Sequence, residues 1–98
     1  MRLSDEEKAA IKGVVRQVFG EDAIVRVFGS RVDDRRRGGD IDLHLEVPKD
    51  KSSLAYELRF QLELLKALGE RKVDVVLYAQ GAAAKPIDAI ALRTGIQL

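Results

Sequence analysis

The chain has 98 residues, 46% of them apolar and 34% charged, with seventeen basic residues against sixteen acidic ones and no cysteine. That length gives one domain over residues 1–98 with a single core, too small to carry a second lobe that closes over a substrate. The composition excludes a disordered or fibrous chain, disulfides and thiolate metal sites, and the near-zero net charge supplies no overall pull towards nucleic acid or membrane. No apolar run approaches a membrane span and nothing near Met1 resembles a signal core, so a cytoplasmic protein is expected.

Ser4-Asp5-Glu6-Glu7 has the form of a capping box, and Ile11, Val14, Val15 and Val18 follow at helical spacing until Gly20. The first element is therefore an amphipathic helix. Ala23 to Phe28 is short, β-branched and apolar, and it runs into Gly29 as a buried strand entering a turn. Residues 29–39 hold three glycines, four arginines and two aspartates with no apolar period, which is loop composition.

From Asp40 to Val47 the pattern becomes strict alternation. Ile41, Leu43, Leu45 and Val47 take one face of a strand and Asp40, Asp42, His44 and Glu46 the other. Pro48 ends it. After a polar turn, Leu54, Leu58, Leu62, Leu65 and Leu68 recur at helical spacing up to Gly69, which predicts the longest helix with that stripe packed mostly into the core. Val73 to Tyr78 returns to strand composition with one charged residue, Asp74, inside an apolar run. Gly81 and three alanines form a connector, and Pro86 opens a short closing helix with Ile87, Ile90 and Ala91 as its buried face. The predicted architecture is α+β in the order α-β-β-α-β-α, a small mixed sheet of three or four strands packed against helices on one face.

Asp40 and Asp42 lie two residues apart on one strand, so their carboxylates leave the same face about 6.5–7 Å apart at Cα and can converge on one metal pair. Magnesium takes oxygen ligands and keeps water and substrate phosphates in its shell, so two or three carboxylates and a triphosphate suffice. Two such ions stabilise both the attacking and the leaving oxygen of an in-line displacement at phosphorus. Asp74 supplies the third carboxylate if its strand lies beside that of Asp40 and Asp42. An acid buried and unpaired in an apolar strand would be costly, which is why it calls for a function. Glu46 shares the face but lies ~13 Å from Asp40 along the strand and is not the natural third ligand.

Gly29-Ser30 directly follows a strand, where glycine allows a tight turn that aims amide N–H groups and the Ser30 hydroxyl at a phosphate. Arg31, Arg36 and Arg37 are the residues able to neutralise the rest of a triphosphate, although the same loop arginines, Arg35 among them, serve equally well as solvated partners of Asp33 and Asp34. His44, the single histidine, is expected to play a surface or hydrogen-bonded structural part rather than a catalytic one.

Phe28-Gly29-Ser30-Arg31, Gly39-Asp40-Ile41-Asp42-Leu43 and Val73-Asp74-Val75-Val76 together resemble the DNA polymerase beta superfamily, and more narrowly its minimal nucleotidyltransferases. The similarity covers nearly the whole chain. It implies a polymerase-beta-like palm in which Gly29 and Ser30 bind nucleotide phosphates, Asp40 and Asp42 bind two Mg2+ ions, and Asp74 binds the ion nearer the attacking hydroxyl and assists its deprotonation. Gly39 stands where the family commonly has serine. Many such proteins are antitoxins that transfer AMP from ATP to a tyrosine hydroxyl of a HEPN-type ribonuclease toxin, and the resemblance implies that partner here. The alternatives are an antitoxin that neutralises by binding alone, and a transferase for a small-molecule or RNA hydroxyl. An RNA acceptor fits poorly with 5% aromatic residues, and no direct nucleic-acid contact is expected.

Overall fold

The computed structural model describes residues 3–29 and 40–98, Asp40 through its backbone alone. Helix α1 spans Asp5–Phe19 and begins as the capping box requires, with Glu7 N–H donating to Ser4 Oγ at 3.1 Å and Ser4 N–H to Glu7 Oε1 at 2.9 Å. Gly20, at φ 91°, ends it. Strand β1 (Ile24–Val27) and strand β2 (Asp40–Val47) follow, then a 3-10 turn at Lys49–Lys51, helix α2 (Leu54–Leu68), strand β3 (Lys72–Ala79), helix α3 (Pro86–Thr94) and a two-residue strand β4 (Ile96–Gln97).

The four strands among the described residues are ordered β3-β2-β1-β4, with β2 and β3 parallel and the other pairs antiparallel. The mixed sheet and the order α-β-β-α-β-α agree with the α+β expectation, and β4 is the strand that the sequence did not single out. Pairing of β2 with β3 is continuous through all eight residues of each, as expected when α2 provides the crossover a parallel pair needs.

Ile41, Leu43, Leu45 and Val47 are fully buried, so the alternation in β2 was read on the correct face. They meet Ile11, Val15, Val18 and Phe19 of α1 and Phe60 and Leu64 of α2 in one core. Phe19 stacks at a tilt on Phe60, centroids 5.7 Å apart, and on Tyr56 at 6.1 Å. Helices α1 and α2 thus cover one face. Helix α3 reaches the polar face through Asp88.

Two packing expectations need correction. The stripe of Leu54, Leu58, Leu62 and Leu65 does not enter the core; these side chains are 68%, 58%, 53% and 49% exposed. Helix α2 carries two apolar stripes, and Phe60 and Leu64, with Tyr56 and Leu68 beside them, form the one that meets the sheet. Spacing identifies a stripe but not its direction. In α3, Ala91 is buried as expected, but Ile87 and Ile90 are exposed at 40% and 43%, and Asp88 is the other buried residue.

Candidate active site

The site is built where the end of β1 and the parallel β2–β3 pair meet on the polar face. Asp42 is half-buried and lies in register with Asp74 on β3, so both carboxylates leave the same face on strands about 4.8 Å apart. The sequence required β3 to lie beside β2, and it does. Asp40 pairs with Lys72 on the same ladder and shares strand parity with Asp42, while its side chain lies outside the described residues.

Asp74 differs from expectation in its surroundings. Strand β3 is the sheet's edge strand and Asp74 is exposed, so its carboxylate bears no burial cost and its position rests on register instead.

Phe28 N–H donates to the Asp42 carbonyl at 3.1 Å, extending the β1–β2 pairing by one residue and carrying the chain over the Asp42 side chain. Gly29 follows at φ 70°, in the left-handed region. A Cβ at this position would lie 2.8 Å from Asp42 Oδ2, closer than any ordinary contact. The left-handed backbone favours glycine here, and a Cβ would in addition push the Asp42 carboxylate aside. Ser30, Arg31, Arg36 and Arg37, the other expected phosphate contacts, lie outside the described residues.

Further along β2 the polar face is closed. His44 is fully buried, with Nε2 2.9 Å from Oδ1 of Asp88, itself 3% exposed. Because a carboxylate only accepts, the proton sits on Nε2. Asp88 Oδ2 also accepts the Lys85 N–H at 2.9 Å, so one side chain caps α3 and anchors it to the site strand. The His44 ring is held by Phe28 edge-on at 6.3 Å and by Tyr78 at 5.6 Å. The hydrogen-bonded structural part expected of His44 matches this arrangement. Asp88 was not foreseen, although an acid at the third position of a helix opened by Lys85-Pro86 was a visible signal. Glu46 is engaged by Arg26 at 3.0 Å, at the far end of the face from Asp40.

Among the described residues no group of three or more His, Cys, Asp or Glu side chains could hold a metal ion. Asp42 and Asp74 nevertheless supply two hard oxygen donors side by side. This donor set fits magnesium, with Asp40 on the same strand face as the third member. No helix among the described residues is long and apolar enough to cross a membrane.

A family model for the nucleotidyltransferase domain matches residues 8–92, from the first helix through most of α3. No curated protein matches the sequence. The matched span holds every element that builds the site, and the chain belongs to the nucleotidyltransferase domain family.

Proposed function

We propose that this chain transfers AMP from Mg-ATP to a hydroxyl of a partner protein in the cytoplasm, the acceptor being a tyrosine of a HEPN-type ribonuclease toxin that it silences as antitoxin. The observation that carries the reading is the register pairing of Asp42 with Asp74, with Gly29 laid against the Asp42 carboxylate. Membership of the nucleotidyltransferase family supports the reaction class. The partner and its tyrosine come from the resemblance in the motifs and from the small size of the domain.

In this reaction the acceptor oxygen attacks the α-phosphorus of ATP, the bond from that phosphorus to the β-bridging oxygen breaks, and pyrophosphate leaves with the charge. Asp40, Asp42 and Asp74 would hold Mg2+, which neutralises charge on the triphosphate when bound. Asp74 is exposed on the polar face of the sheet, from which an acceptor hydroxyl can approach, and its carboxylate can take the proton that the hydroxyl loses. Gly29 lets the backbone turn beside Asp42, so that the phosphates and the carboxylates share one site. Such catalysis rests on positioning and charge neutralisation rather than on covalent chemistry by the protein.

The test is mass spectrometry of the toxin co-expressed with the wild-type chain or with Asp42→Asn. One or more added AMP groups on a tyrosine, absent with the variant, are expected. An unmodified but neutralised toxin would replace this reading with neutralisation by binding alone.

A further inference from the structure

Helix α2 turns Tyr56, Phe60 and Glu63 towards α1, Glu63 accepting a hydrogen bond from Gln17 at 3.4 Å. At 100° per residue, Leu54, Leu58 and Leu65 point the opposite way. Since α1 borders β1 and β4 and the sheet order puts β3 at the other edge, the leucine stripe overlooks the edge of β3, and among the described residues no further strand pairs there. A groove of about 280 Å³ joins the two, lined by Leu62, Leu65 and Leu68 above and Arg71 and Val73 below.

Among the described residues that edge is protected only at its start, by the charged Lys72 and Asp74. Its register with β2 has no bulge and the strand has no proline, and after Asp74 come Val75, Val76, Leu77, Tyr78 and Ala79, all half-buried and uncharged. Long, apolar, unprotected edges are avoided in chains that stay alone.

We propose that a second copy of this chain covers this side, pairing β3 antiparallel with β3 of the other copy and packing α2 against its counterpart. The two features suit one symmetry operation. A twofold axis normal to the sheet keeps both α2 helices on the same face and sets both the strands and the helices antiparallel, so that edge meets edge and stripe meets stripe. The area also suits it. Four leucines, each 49–68% exposed, form a patch of the few hundred Å² that a lone chain rarely leaves bare. The eight-residue edge beneath brings the buried area towards the roughly 800 Å² per partner of a specific interface. Arg59 and Lys66 flank the stripe on its outer side and stay at the rim. The result is a continuous eight-stranded sheet in which a second copy's strand runs alongside Asp74, walling a site that is open at the sheet edge in one copy. The pairing does not depend on the identity of the transfer reaction.

Sedimentation equilibrium on the purified full chain tests this. Twice the chain mass of 10.9 kDa is expected, and the double substitution Leu58→Glu/Leu65→Glu should weaken the dimer about 30-fold or more, as loss of interface anchors does. Both leucines are exposed, so the far-ultraviolet circular dichroism of the variant should match wild type; Leu58→Glu alone serves as the milder probe. A wild-type chain that is monomeric up to roughly 100 µM, where micromolar pairing is complete, overturns the proposal. So does a dimer that both variants leave intact, or a stripe that is covered only by a different protein.

Discussion

Asp42 and Asp74 stand side by side in register on the two parallel strands, one half-buried beneath Gly29 and the other exposed at the sheet edge. Their different settings separate two duties. Asp42 lies against the chain that passes over it, and Asp74 faces the side from which the proposed acceptor would come. Asp74→Asn should therefore lower transfer by roughly 100-fold or more, the scale of losing one charge-stabilising group, with little change in stability because the side chain is exposed. Transfer rate and urea midpoint, measured together, check the pair of outcomes.

Gly29→Ala should fail for two independent reasons. The left-handed φ costs an alanine about 1–2 kcal/mol, and its methyl group would displace the Asp42 carboxylate, which lies 2.8 Å from the Cβ position. Stability should fall by about that amount in urea unfolding, and nucleotide-dependent transfer should fall further than stability alone explains.

Asp88 holds α3 to the site strand through His44 and also caps the helix. Asp88→Ala leaves a buried imidazole N–H without its acceptor and should cost about 1–3 kcal/mol, the scale of an unsatisfied buried donor. Asp88→Asn keeps an oxygen acceptor and should cost less. Denaturant titration of the two variants gives the comparison.

The Glu7 carboxyl is held below its ordinary 4.5, first by the Ser4 backbone N–H and then, against some desolvation, by Arg71. A group that is more acidic folded than unfolded adds stability that is complete above its unfolded value and is lost as pH falls through the folded one. Acidification from neutrality to about pH 3.5 should thus destabilise wild type more than Glu7→Gln, as thermal unfolding at the two pH values would register.

Much of this was legible in the sequence because strand and cap signals are local. The alternation of β2 identified its buried face, Ser4 and Glu7 marked the start of α1, and the single charge in Val73 to Tyr78 drew attention to Asp74. What failed concerned direction and partnership, which are tertiary. Two apolar stripes wind around α2, and only the position of α1 and the sheet decides that Phe60 and Leu64 go in while Leu58 and Leu62 stay out. Asp74 looked buried by its neighbours' composition, but an edge strand exposes it. Asp88 acquires its importance only when α3 folds onto His44, 44 residues away in the chain. β4 is two residues long and gains its strand character from β1, to which it pairs.

Asp42 and its neighbouring carboxylates are proposed to carry out nucleotidyl transfer. ATP labelled at the α-phosphate, Mg2+ and the proposed partner toxin are supplied to wild type and to Asp42→Asn, with folding of each verified. Covalent label on the toxin with wild type, reduced roughly a thousand-fold or more by the variant, is the expected result. Label transferred equally well by folded Asp42→Asn would rule out that role for the carboxylate.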